Sequence, residues 1–202
     1  MKENFKLGIT LLIITAITGV IIGFANNLTK DAILENSKIN KEDLKAILPQ
    51  AESIQDIEFT ETETVKEVYE AVNGGEVVGH VLKVTTKGFH GPVDFAIGIS
   101  VDEKVSGIKV LSHSETPGLG AKIEEEKFTT RFSDKGISED LEAVKVTPNK
   151  DNEVEAISGA TTSSKATVSA VNDAIRFYKE NIKGEEVAPK EDTDVDTAAT
   201  AS

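Results

Sequence analysis

Leu7 to Phe24 runs for eighteen residues without one charged side chain. A stretch that is apolar on every face has few places to go: a bilayer, the middle of a large core, or a secretory signal. At about 1.5 Å per residue, it stands near the lower limit for crossing a hydrocarbon layer about 30 Å thick. The run is long for the apolar part of a signal peptide, and no clear A-x-A cleavage pattern follows. An amphipathic stripe, which a helix buried in a soluble domain would show, is missing. We therefore expect a retained transmembrane helix over residues 7–25, with 1–6 before it. Lys2 and Lys6 precede the run and the next Lys is Lys30, a bias that places the N-terminus in the cytoplasm and the main domain outside.

The rest of the chain is acidic and polar. Over 202 residues the formal net charge is −13, and there is no Cys. Thiolate-ligated iron–sulfur clusters, thiolate zinc sites and disulfides are excluded. No basic patch with interleaved aromatics exists, so no nucleic-acid partner is expected. His80, His90 and His113 are scattered without metal-ligand spacing, and no metal site is expected. The segment from Glu185 on carries a net charge of −5, is rich in Thr and Ala, and has no aromatic residue. Residues 184–202 read as a disordered acidic tail.

Residues 26–50 read as a helical stalk. Asn40 is a candidate cap, Asp43 lies near the start, Leu44, Ile47 and Leu48 form an apolar stripe, and Pro49 ends it. The same stripe also suits a helix that simply packs on the domain. From residue 51 to 183 the pattern is that of one α+β domain with an antiparallel sheet and packed helices. Val65–Val72 and Glu76–Thr86 read as strands joined by Asn73-Gly74, with Gly75 extending the turn. Pro92–Val101 and Ser106–Ser112 follow, with Asp102-Glu103-Lys104 as the turn between them, giving a meander rather than βαβ units. Lys122–Phe132 is expected to be a helix with Ile123, Lys127 and Phe128 inward, Phe132 in the core, and Glu124-Glu125-Glu126 on its solvated side. Val144–Thr147 reads as a strand broken by Pro148-Asn149.

Ser158-Gly159-Ala160-Thr161-Thr162-Ser163 then opens a helix expected over Ser164–Ile182. Its stripe is Val168, Val171, Ile175, Tyr178 and Ile182, and Gly184 marks its end. The first turn of a helix presents unpaired N–H groups and a positive dipole end, which suit a phosphate. Gly159 and Ala160 let backbone approach a ligand closely. An ordinary Ser/Thr cap with no ligand fits the same residues.

Ser158-Gly159-Ala160-Thr161 resembles the flavinylation motif of FMN-binding domains in the G subunit of Rnf complexes and the C subunit of sodium-translocating NADH:quinone reductases. The resemblance implies that Thr161 carries FMN through a phosphoester bond, made by a separate flavin transferase with FAD as donor. The family's acidic residue three positions before the Ser, usually Asp, is Glu155 here. Glu115-Thr116-Pro117-Gly118-Leu119-Gly120 is similar to a second signature of the family, one that lines the flavin. Pro117-Gly118 and Gly120 would give a shaped backbone with few side chains to obstruct a planar ring, and Thr116 could bond its heteroatoms. Gly88-Phe89-His90-Gly91-Pro92 resembles a family loop near the flavin. Ser158, Gly159 and Ala160 would shape the attachment loop, with Thr162 and Ser163 as candidate phosphate partners.

The implied role is electron relay by an anchored FMN in an Rnf-type ion-translocating ferredoxin:NAD+ oxidoreductase. One span offers no ion path, so other membrane and redox subunits are required and the chain is not a complete enzyme alone. The alternatives are the C subunit of the related quinone reductase, another extracytoplasmic flavinylated carrier, a domain binding FMN non-covalently, and an anchored scaffold with no flavin.

Overall fold

The structure, a computed structural model, describes residues 2–36, 39 and 41–187. Asn40, the expected cap, and residues 188–202, most of the acidic tail, lie outside the described residues. The first helix, α1, is continuous over Lys2–Asn36. Its Phe5–Thr29 portion is long and apolar enough to cross a membrane, and none of its most apolar window is buried against the rest of the chain. The Thr hydroxyls inside it are bonded to carbonyls one turn back, Thr10 to Lys6 at 2.9 Å and Thr18 to Ile14 at 2.8 Å. Internal satisfaction of this kind is what a helix in hydrocarbon requires.

The segment expected as a stalk is divided. Residues 26–36 continue α1, whereas α2 (Lys41–Ile47) is packed on the sheet, with Leu44, Ile47 and Leu48 buried. The sheet has six antiparallel strands in chain order: β1 (Ser53–Asp56), β2 (Val65–Asn73), β3 (Glu76–Lys87), β4 (Pro92–Ser100), β5 (Lys104–Ser112) and β6 (Lys135–Gly136). The β2–β3 turn is Gly74-Gly75, with φ of +59° and +90°. Asn73 pairs with Glu76 and is the last residue of the strand. Two positive φ values are what a two-residue hairpin with the native twist demands. Register shifts at Val65/Glu67 and Ala71/Val72 explain the imperfect alternation of β2.

Both faces of the sheet are covered. Leu82, Val84, Phe95, Ile97 and Ile99 point to one side, where they meet Val168, Val171, Ile175 and Tyr178 of the C-terminal helix. Val81 and Ala96, one residue out of phase, point to the other side and meet α2. That second face is built from small residues. A Cβ on Gly98 would stand 2.6 Å from Ile47 Cγ2 and 2.8 Å from the Ile47 carbonyl oxygen. Its cross-strand partner Gly107 would meet the Ala46 and Ile47 carbonyls at 2.8 and 2.9 Å. The backbone of α2 lies directly on this glycine pair, and the Lys109–Asp43 ion pair ties its flank to β5.

Residues 120–132 are not one helix but three turns: a 3-10 turn Gly120–Glu124, α3 (Glu126–Thr129) and a second 3-10 turn Thr130–Phe132. Ile123 and Phe128 are five apart, which one straight helix cannot place on a common face. The chain breaks at Glu125, which is extended, and the phase is reset so that Ile123, Phe128 and Phe132 are all buried. Lys127 is exposed, contrary to expectation. The expected strand at Val144–Thr147 lies earlier, as β7 (Glu142–Val144), parallel to β8 (Glu153–Glu155). Lys145 and Val146 leave the ladder ahead of Pro148, which could not donate to it.

Candidate functional site

The last helix, α4, runs Thr161–Phe177 and closes in a π-helical turn, Tyr178–Lys183, before Gly184 at φ +72°. It begins three residues earlier than its sequence pattern suggests, so Thr161 is its first residue and Ala160 its cap. Ala160 has no capping side chain. Ser164 does that work from inside the helix: its hydroxyl accepts the Ile157 amide at 2.9 Å and donates to the Ala160 carbonyl at 3.0 Å. The loop is thereby folded back onto the helix start. Gly159 sits at φ +79°, which an L side chain rarely adopts, and Leu119 stands against it.

The hydroxyls of this first turn have different fates. Ser163 is 2% exposed and donates to Glu115 Oε2 at 2.6 Å. Thr167 donates to the Ser163 carbonyl at 3.0 Å. Ser163, expected beside a phosphate, is therefore committed elsewhere. Thr162 is exposed. Thr161 is half-buried, lines a cleft, and among the described residues makes no hydrogen bond through its hydroxyl.

That cleft has a volume of about 540 Å3. Ser158, Gly159 and Thr161 form one wall. Lys122, Lys127, Arg131 and Lys145 contribute four cations, against the carboxylates of Glu125 and Glu155. In a chain of net charge −13 this is a locally basic site. Arg131 is held in place: its Nη1 donates to the Glu155 carbonyl, the Glu155 carboxylate lies 3.9 Å away, and the guanidinium covers the Phe128 ring at 5.5 Å. A helix N-terminus and a fixed guanidinium facing one cleft are the chemistry of an anion site. None of these cations was singled out from sequence as a site residue; Lys127 was expected only as an inward residue of a helix. A signal was present: Lys122, Lys127 and Arg131 each precede a buried apolar residue, Ile123, Phe128 and Phe132, so a basic edge runs beside an apolar one.

The two other motif loops meet the helix start through one buried carboxylate. Glu115 is 5% exposed. Its Oε1 accepts the Phe89 amide at 2.7 Å and the His90 amide at 3.1 Å, while Oε2 takes the Ser163 hydroxyl. A Cβ at Gly88 or Gly120 would overlap the carboxylate oxygens. Glu115 is thus a clip between loops rather than an exposed contact. Thr116 bonds His90 Nδ1 at 3.2 Å. His113 Nδ1 accepts the Glu115 amide at 3.1 Å, which leaves the proton on Nε2, 3.2 Å from Glu124. Pro117, Gly118 and Leu119 are exposed, and Gly120 is buried.

Burial raises the Glu115 carboxyl, but the Ser163 hydroxyl and then the His90 and Phe89 amides outweigh it and hold it below its ordinary value of 4.5. A carboxyl depressed in the folded state contributes stability above its unfolded pKa and loses it as pH falls through the lower, folded value. The difference in melting temperature between the wild type and Glu115→Gln is therefore expected to be present at about pH 7 and to shrink below about pH 4.5. An unchanged difference at about pH 3 would show that the charge has no such role.

Residues 88–176 match the FMN-binding domain family. The match opens at Gly88, one wall of the Glu115 clip, and ends within α4. Fold and site together define an α+β FMN-binding domain preceded by an apolar helix that could cross a membrane. The chain is 35% identical to the G subunit of the Na(+)-translocating ferredoxin:NAD(+) oxidoreductase complex of Acetobacterium woodii, over 88% of this chain and 93% of the relative. It is 33% identical to the G subunit of the ion-translocating oxidoreductase complex of Methanosarcina acetivorans, over 87% and 95%. The chain belongs to the family of G subunits of ion-translocating oxidoreductase complexes. Among solved structures, the C subunit of the Na(+)-translocating NADH-quinone reductase of Parabacteroides distasonis is similar over 74% of this chain and 94% of that one, at 20% identity and a TM-score of 0.48.

Proposed function

We propose that this chain is the flavin-carrying electron relay of an Rnf-type ion-translocating ferredoxin:NAD+ oxidoreductase, with FMN attached through a phosphoester to Thr161 Oγ1. The observation that carries the reading is the placement of Thr161. It is a cleft-lining hydroxyl with no hydrogen bond among the described residues, on the first turn of a 17-residue helix, in a cleft also lined by Arg131 and three lysines. The residues present fit the group: the helix start and the cations of the cleft would hold its phosphate, and the small residues Gly159 and Ala160 leave room for the ester. Ser158 completes the loop, and the exposed edge formed by Pro117, Gly118 and Leu119 stands beside it for the ring. Bound FMN supplies the redox chemistry, one electron at a time; the protein supplies tether, orientation and field.

A separate flavin transferase, using FAD, would make the bond. On this reading α1 crosses the membrane with residues 1–6 in the cytoplasm, the flavin domain lies outside the cell membrane, and residues 184–202 follow it as an acidic tail. The domain includes α2, since that helix completes one face of the sheet. Other membrane and redox subunits must supply the ion path and the neighbouring electron carriers.

The test is to produce the full chain with a flavin transferase, denature it, and separate the polypeptide from small molecules. Visible flavin absorbance is expected to stay with the polypeptide. Flavin released into the small-molecule fraction would overturn the covalent link and favour non-covalent binding. A polypeptide that never carries flavin would favour the scaffold reading.

A further inference from the structure

We propose that Glu115 is the positioning residue of this site: its buried carboxylate fixes the first turn of α4, and with it Thr161, against the 88–91 and 115–120 loops. The inference rests on Thr161 as the flavin attachment point. Its basis is geometric. Three segments far apart in sequence, around residues 89, 115 and 163, share one side chain as their common acceptor. Ser163 is two residues from Thr161 in the same helical turn, so a bond at 2.6 Å from Ser163 to Glu115 sets the rotation of that turn. The amides of Phe89 and His90 fill the other oxygen. A side chain at Gly88 or Gly120 would occupy the space that the carboxylate fills between them. Among the described residues none of the three donors has a second acceptor, and the Ser163 hydroxyl, which is buried, is costly to leave unpaired.

The geometry makes a graded forecast. Glu115→Gln keeps the shape: its carbonyl still accepts two amides, and its NH2 can face Ser163, whose hydroxyl turns to accept. Glu115→Asp is one methylene too short to reach both sides, and Glu115→Ala strands all three donors. With full chains co-produced with a flavin transferase, Glu115→Gln should acquire flavin at near the wild-type level. Glu115→Asp and Glu115→Ala should fall by about tenfold or more. Far-UV circular dichroism should show them folded, with faster hydrogen exchange confined to the 88–91 amides and the start of α4. Ser163→Ala, which removes one bond and one oxygen atom, should fold even where Glu115→Ala does not, and should acquire flavin several-fold more slowly.

Folded Glu115→Ala or Glu115→Asp protein with wild-type flavin content would overturn the proposal, as would Ser163→Ala at the wild-type rate. A loss in Glu115→Gln as deep as in Glu115→Ala would also overturn it, because charge rather than position would then matter. If the wild type itself takes up no flavin, it is the attachment reading that fails, a result distinct from all of these.

Discussion

Thr161→Ala is expected to give a folded full-length protein with no covalent flavin. The site explains both halves of that result. Thr161 is the first residue of α4, half-buried, and its hydroxyl holds nothing in place among the described residues. The entry of the helix is secured by Ser164 and Ser163 instead. Alanine is a better helix former than threonine, so the change in stability should stay within about 0.5 kcal/mol. The loss of flavin, in contrast, should be complete, because no other hydroxyl of the helix start can take over, and Ser158, the other hydroxyl on the cleft wall, lies in the loop before the helix. Ser163 is bonded to Glu115, and Thr162 is not among the residues lining the cleft. Thr161→Ser should retain some flavin. Thermal melting and visible absorbance after denaturation read the two effects separately, and flavin that survives denaturation in Thr161→Ala would place the link elsewhere.

The largest effect on stability should come from Gly98→Val. The added side chain would collide with the Ile47 side chain and its backbone carbonyl, and the carbonyl cannot swing away without lifting α2. Displacing α2 would bare Leu44, Ile47 and Leu48, each worth about 1.5–3 kcal/mol when fully buried. A loss of several kcal/mol is a large share of the roughly 5–15 kcal/mol that holds a typical domain together. Limited proteolysis within 41–48 and a lowered melting temperature are the expected signs. Gly136→Ala is the control, since a Cβ there meets no atom within 4 Å. Equal melting of Gly98→Val and wild type would contradict the direct seating of α2 on the glycine pair.

These two variants also mark where sequence was readable and where it was not. The meander of β2 to β5 was legible because Gly74-Gly75, Gly91-Pro92 and Asp102-Glu103 punctuate runs of apolar residues. The 158–160 loop and the helix it opens were legible because a small-residue turn before an amphipathic run is a local pattern. The seating of α2 was not. It depends on Gly98 and Gly107 facing each other across two strands, and a lone glycine in a strand reads as weakness rather than as a contact. The family resemblance put Glu115 beside the flavin, and a carboxylate in a Gly/Pro loop gives no hint of burial. Only pairing with Phe89, His90 and Ser163 reveals it as a clip. The cleft cations escaped for a related reason: Lys145 joins Lys122 and Arg131 only after the chain has passed through β6 and β7. The broken 120–132 segment turned Lys127 outward because one extended residue, Glu125, shifts the phase, and no period-based reading registers a one-residue break.

The measurement that bears most directly on Thr161 as the carrier is the intact mass of the full chain purified from its native host, followed by peptide mapping. The expected result is a mass gain equal to FMN minus one water, confined to the peptide that contains Thr161. An unmodified mass, from cells that flavinylate other proteins, or a flavin mapped to a peptide without Thr161, would contradict it.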